Sequence, residues 1–238
     1  MEIFVLLLLT MAIPFPMCYF RMNKYDVSLP KMLLIYVVFS SVGFIGALYG
    51  PPLVGITRSG IRLYGLVLFD FIALFVMSKV LRMDVRKLGD FITPSIMAVC
   101  SSSKINCLIR DCCKGIVLFN NSDIPVRFPS VIVEMAIWAI FVAALLIIDR
   151  KKRSDGYMWP ILMIWFGIVR FLADFLRGSE LERRPYLIGL TGGQFWSLVS
   201  ALAGMAFLIW TFRKNWNRFP TIAEALRIAV SGSILASD

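Results

Sequence analysis

The 238-residue sequence has no histidine. That absence removes serine or cysteine chemistry driven by a histidine base, and with it nearly every ordinary zinc or haem site. Cysteine is sparse: Cys18, Cys100, Cys107, Cys112 and Cys113. No two of them form a CxxC pair, and an odd number makes no disulfide framework. Charge is also scarce, at 17% of residues, against roughly 25% in an ordinary soluble domain. Apolar residues fill the gap, making up 59% of the chain, with a mean hydropathy of +0.79. A soluble globule of this size cannot hide so much apolar surface, so a soluble or disordered chain is excluded and the bilayer becomes the expected solvent. A net charge of +10 on a soluble protein would suggest nucleic acid. On a membrane chain it reflects cytoplasmic-loop lysines and arginines facing anionic lipid, and no nucleic-acid partner is expected.

Long apolar windows predict six spans, at about residues 3–20, 32–50, 62–81, 131–149, 157–176 and 194–212. A seventh candidate, Gly89 to Ser103, is apolar but contains Pro94 and ends in three serines. It reads as a short span or a re-entrant half-helix, since irregular backbone survives at membrane depth only when buried in protein. The first segment has Glu2, no basic residue before its apolar run and no small residues for cleavage, so it reads as a retained span. Counting seven spans gathers the dense basic clusters on one side: Arg21, Lys24 and Lys31; Lys79, Arg82, Arg86 and Lys87; Arg150 to Arg153; Arg213, Lys214, Arg218 and Arg227. The positive-inside rule then puts the N-terminus outside and the C-terminus in the cytoplasm. With six spans, the runs at 79–87 and 150–153 would fall on opposite sides. The expected fold is therefore an all-α polytopic membrane protein of about seven helices. Residues 1–212 form one domain, and 213–238 form a short basic cytoplasmic tail. Within that tail, Thr221 and Glu224 have capping-box spacing before a modest amphipathic stretch.

Ionisable residues at membrane depth mark functional sites by default. Here they are Asp70, Glu134, Arg170 and Asp174. Arg170 and Asp174 are one helical turn apart and can pair, either as an internal packing contact or as an anion clamp with Asp174 orienting the guanidinium. Arg177 continues that face toward the outer surface. A second polar cluster runs from Lys104 through Arg110 and Asp111 to Cys112-Cys113-Lys114-Gly115, and Arg127-Phe128-Pro129-Ser130 then leads to Glu134. Gly46 and Gly50 have the GxxxG spacing that lets membrane helices approach. Thr191 and Gln194 have capping-box spacing at the start of the last span.

In this order, the pieces resemble the prolipoprotein diacylglyceryl transferase family of bacterial membrane enzymes. Leu63-Tyr64-Gly65-Leu66 is similar to the family's His-Gly-Gly-Leu or Tyr-Gly-Gly-Leu segment, and Asp90 with Pro94 to its Asp-x-x-Ala-Pro. Lys104 through Gly115 resembles the signature Gly-Arg-x-Gly-(Asn/Cys)-Phe-x-x-Gly-(Glu/Cys). Arg127-Phe128-Pro129-Ser130 with Glu134 resembles Arg-His-Pro-Ser-x-x-x-Glu. Arg170-Phe171 with Asp174-Phe175 and Arg177 is similar to Arg-Phe-x-x-Glu-Phe-x-Arg, and Gly189 through Ser197 to Gly-x-Thr-x-Gly-Gln-x-x-Ser. Three substitutions stand out: Lys104 at an arginine position, Asn106 for a signature glycine and Tyr64 at a histidine position.

The resemblance implies a seven-span enzyme of the bacterial cytoplasmic membrane whose site opens to the outer leaflet. It would move the diacylglyceryl group of phosphatidylglycerol onto the lipobox cysteine of a preprolipoprotein signal peptide, with no cofactor and no metal. Tyr64, Lys104 and Arg170 are the implied catalytic residues. Gly65, Asp90, Arg127, Ser130, Glu134, Asp174, Arg177 and Gln194 are the implied substrate contacts. Two other readings stay open: the same lipid site serving a different acceptor, and a non-catalytic lipid-binding or assembly protein.

Overall fold

A computed structural model describes residues 12–53, 62–109, 113–119, 126–150, 156–177 and 185–216. Within them the chain runs through a short helix α1 (Pro14–Arg21) with a 3-10 turn at Asn23–Tyr25. Then come the long helices α2 (Leu29–Leu53), α3 (Arg62–Val80) and α4 (Val85–Ile109). Strands β1 (Val117–Phe119) and β2 (Val126–Arg127) form an antiparallel hairpin before α5 (Ser130–Arg150) and α6 (Met158–Phe175). A second hairpin, β3 (Pro185–Leu187) with β4 (Leu190–Thr191), leads into α7 (Gly192–Trp216). Five of these helices are long and apolar enough to cross a membrane: Leu29–Ala47, Val85–Ile109, Ser130–Arg150, Met158–Phe175 and Gly192–Arg213. The protein is a helical, multi-pass membrane protein. The first half of the first predicted span and the predicted tail helix at Thr221–Glu224 lie outside the described residues.

Side chains are sorted in the manner of a chain dissolved in lipid. Large apolar residues such as Val37, Ile72, Ile140, Ile147 and Leu202 face outward, while Arg21, Asp90, Lys104, Glu134, Asp149 and Arg170 are buried. In hydrocarbon a charge is tolerable only beside a partner inside the bundle.

The predicted short or re-entrant segment is corrected: residues 85–109 form one continuous 25-residue helix, about 37 Å long at 1.5 Å per residue. Pro94 sits inside it. A proline lacks the N–H that would bond four residues back, so it orphans the Asp90 carbonyl. Arg21 takes up the slack. Its Nη2 donates to Asp90 O at 2.8 Å and its Nη1 donates to Phe91 O. The same guanidinium donates from Nε to Asp149 Oδ2 at 2.7 Å, tying α1 and α4 to α5. Tyr25 Oη also donates to Asp149, at 2.6 Å. Burial, and then its bond to this carboxylate, push the Tyr25 hydroxyl up and keep it a donor. Asp90 accepts from the backbone amides of Gly156 at 2.7 Å and Met158 at 2.9 Å, which fixes the start of α6.

Helices α2 and α3 meet backbone to backbone. A Cβ on Gly65 would lie 2.0 Å from the Gly46 carbonyl oxygen, and one on Gly50 would lie 2.7 Å from Gly65 Cα. The Gly46–Gly50 spacing is thus met by a third glycine on the facing helix. Only hydrogens fit there.

Arg21→Ala should destabilise the protein by about 1–3 kcal/mol, because the Asp90 carbonyl that Pro94 leaves open loses its donor, while Asp149 keeps Lys24 and Tyr25. Thermal unfolding in lipid nanodiscs measures this. An unchanged melting temperature would show that water or another side chain replaces Arg21.

Candidate active site

At the far end of α4 from Arg21, three helices and the segment after α6 converge on one carboxylate. Lys104 lies five residues before the end of α4, Glu134 in the second turn of α5, Arg170 in the last turns of α6, and Arg177 two residues beyond α6. Arg170 Nη1 donates to both oxygens of Glu134, at 3.1 and 3.0 Å. Lys104 Nζ forms an ion pair with Glu134 Oε2, and Arg177 Nη2 lies 3.6 Å from Oε1. All four side chains are at most 5% exposed. The i,i+4 spacing put Asp174 on the same face as Arg170, and a second carboxylate, Glu134 from another helix, bonds the guanidinium through both oxygens.

Asp174 also meets the start of α7. Thr191 Oγ1 donates to Asp174 Oδ2, and a Cβ on Gly193 would lie 2.8 Å from Asp174 Oδ1. The predicted capping box forms in full. The Gln194 amide donates to Thr191 Oγ1 at 3.1 Å, and the Thr191 amide donates to Gln194 Oε1 at 3.1 Å. Among the described residues the cluster therefore holds three cations against two carboxylates, leaving one positive charge in excess. A buried surplus charge of this kind is a place for an anion.

Tyr64 lies beside the cluster. Its hydroxyl is hydrogen-bonded with Ser197 Oγ on α7, and Ser197 donates to Gly193 O at 2.7 Å. The Arg170 guanidinium carbon lies 5.8 Å from the Tyr64 ring centroid. Phe166 packs edge-on to Tyr64 at 5.2 Å and stacks with Trp138 at 5.6 Å. Ser197 appears in the sequence only as the end of a motif. Its role as the partner of Tyr64 needs the fold, because 133 residues separate them.

The loop residues hold the mouth of the cluster. Ser130 Oγ donates to Cys113 O at 2.7 Å, and Arg127 Nη1 donates to Gly115 O at 3.2 Å. Gly115 bridges to Arg177, and the Ile116 amide donates to Leu176 O at 3.0 Å. Arg127 and Ser130 thus shape the segment beside the cations. Two expected substrate contacts stand apart. Gly65 is packed into the α2–α3 contact, and Asp90 is fourteen positions before Lys104 on α4, some 21 Å away along the helix axis.

Sequence reasoning left the cysteines without a role. Cys107 and Cys113 are thiols 3.8 Å apart, both half-buried at this mouth. The hydrogen bond with Cys107, followed by the charges of Arg177 and Lys104, holds the Cys113 thiol down at about 5, against burial and Glu134, which push it up.

A model of the prolipoprotein diacylglyceryl transferase family matches residues 10–210. The phosphatidylglycerol–prolipoprotein diacylglyceryl transferase of Clostridium tetani is 27% identical over 76% of this chain and 76% of its own length. The protein of that name from Pseudoalteromonas atlantica is 24% identical over 67% of this chain and 61% of its own. The one from Burkholderia lata is 34% identical over a shorter match, 37% of this chain and 30% of its own. In the latter two, the match spans less than two thirds of the relative's length.

Alkylation of Cys113 should follow its thiolate, which is lost as pH falls through about 5; an ordinary thiol loses it near 8.5. Iodoacetamide labelling read by peptide mass spectrometry should reach full rate by about pH 6. A midpoint near 8.5 would show that the neighbouring cations do not act on this thiol.

Proposed function

Since the chain belongs to the prolipoprotein diacylglyceryl transferase family, we propose that it moves the diacylglyceryl group of phosphatidylglycerol onto the thiol of a lipobox cysteine in a preprolipoprotein. The observation that carries the reading is the surplus positive charge among Lys104, Arg170 and Arg177, buried in a chain that spans a membrane. A phosphodiester supplies the missing negative charge. Binding it asks the cations to exchange part of their hold on Glu134 for phosphate oxygens.

In the reaction the substrate thiol loses its proton and its sulfur attacks the glyceryl carbon. The bond from that carbon to the phosphate oxygen breaks, and charge develops on glycerol phosphate. Arg170 presents a planar fork to that charge and Lys104 a point charge, so both act where catalysis needs electrostatic help. Tyr64, fixed by Ser197 beside Arg170, contacts the reacting atoms and relays the thiol proton toward the departing phosphate. Glu134 keeps the empty cluster from repelling itself. Asp174 and Gln194 hold the α7 start, while Arg127 and Ser130 hold the mouth.

The reading also assigns seven spans, with α3 and the segment at 3–20 added to the five above. The basic run at 79–87 then faces the cytoplasm at the start of α4, and Lys104, near its other end, faces the outer leaflet of the bacterial cytoplasmic membrane. Reporter fusions after Arg153 and after Lys214 should both report cytoplasm. An external signal at either position would overturn the topology.

Transfer from labelled phosphatidylglycerol to a lipobox peptide tests the chemistry, with variants compared at matched expression. Arg170→Ala should abolish transfer, and Arg170→Lys should be strongly impaired because the fork is lost. Lys104→Arg should retain or raise turnover. Lys104→Gln should lose about 1.5–3 kcal/mol of stabilisation, or about ten- to a hundredfold in rate. Equal rates for wild type and both Lys104 variants would remove Lys104 from the mechanism.

A further inference from the structure

We propose that Cys107 and Cys113 form a redox-active dithiol at the mouth of the cation cluster, a site for a disulfide-bearing oxidant. Its closure removes a negative charge from beside Lys104 and Arg177. The transfer reaction does not use these thiols. Their setting also differs from that of the other described cysteines, Cys18 and Cys100, which are fully buried as inert core residues.

Three observations place the chemistry here. The two sulfurs touch at 3.8 Å, so forming the bond needs an approach of about 2 Å. Cys107 belongs to the last turn of α4, one turn after Lys104, and Cys113 follows six residues later at a φ of 60°, with its carbonyl held by Ser130. Both thiols are half-buried, so a small reagent reaches them. Among the described residues no histidine, cysteine or carboxylate groups with them as a third metal ligand, which leaves exchange chemistry rather than coordination.

The exchange balances without further reagents. Cys113, as the thiolate, attacks one sulfur of the oxidant's disulfide, giving a mixed disulfide and releasing one thiolate. Cys107 then attacks the Cys113 sulfur, and its proton leaves with the second oxidant sulfur. One oxidant disulfide becomes two thiols, and one protein disulfide forms. With Cys113 ionised, the cluster's surplus positive charge is offset from within. With the pair closed, the surplus returns. Resting on the phosphatidylglycerol reading, closure therefore raises the affinity for an anionic headgroup.

The test uses the full chain in nanodiscs of zwitterionic lipid, treated with oxidised or reduced glutathione, blocked with N-ethylmaleimide and mapped by peptide mass spectrometry. A Cys107–Cys113 link is expected in the wild type and in Cys112→Ser. Cys107→Ser should accumulate glutathione on Cys113, whereas Cys113→Ser should leave Cys107 largely unmodified. A link through Cys112 instead, or no link, would overturn the dithiol. Titration with phosphatidylglycerol should then show several-fold tighter binding to the closed form, and Cys113→Ser should bind tightly in either condition. Equal binding by linked and reduced wild type would overturn the coupling. Absence of binding in every form, with the link in place, would instead count against the phosphatidylglycerol site.

Discussion

Three cations gathered in a medium of low dielectric repel one another strongly, and Glu134 is what makes their gathering tolerable. It accepts from Arg170 with both oxygens, pairs with Lys104 and stands near Arg177. Through that one side chain α5 is tied to α4 and α6 and to the strand-like segment after α6. The rest of this end is built outward from it. Ser130, one turn earlier on α5, holds the Cys113 carbonyl, and Arg177 continues into the bridge with Gly115. A helix bundle in lipid has no hydrophobic force between its helices comparable to that in water. Buried ionic contacts and close glycine packing must therefore set the geometry.

The two ends of α4 make an instructive pair. At one end Arg21 is fully occupied by two carbonyls, a carboxylate and Tyr25. Asp90 is likewise committed to two amides. That end is a closed structural knot. At the other end the cations exceed the carboxylates, and the balance is left to a titratable thiol or to a bound anion. The asymmetry separates a contact that holds helices together from one that waits for a ligand, although both are buried clusters of arginine and acid.

The sequence exposed the composition of this site better than its connections. Arg170 and Glu134 stood out because charge at membrane depth is costly, and Lys104 through its polar cluster and the signature it resembles. The Thr191–Gln194 box and the Gly46–Gly50 contact followed from local spacing alone. What local spacing could not supply was long-range partnership. Arg170 and Asp174 share a helix face, yet Glu134, from a helix 36 residues earlier, provides the bidentate grip. Asp90 was expected in the site only because Asp90 with Pro94 resembles the family's Asp-x-x-Ala-Pro. It is buried, but for the sake of the α6 start. Pro94 suggested a broken helix, because nothing local in the sequence says that Arg21, more than seventy positions away, takes up the orphaned carbonyl. Gly65 lay inside a recognisable motif, and only the facing glycines of α2 explain why a side chain is forbidden there.

The repair of Pro94 bears on how the molecule is assembled. Of the five spanning helices α4 is the least apolar, and its backbone is incomplete until the Arg21 guanidinium reaches it. In hydrocarbon an open carbonyl costs several kcal/mol. A newly made α4 therefore enters lipid as a poor solute, whereas α5 partitions on its own apolar character. The helix that carries Arg21 precedes α4 in the chain, so the donor is already made when α4 appears. The polypeptide carries its own chaperone in cis, one arginine long, for the segment least suited to lie alone in the bilayer.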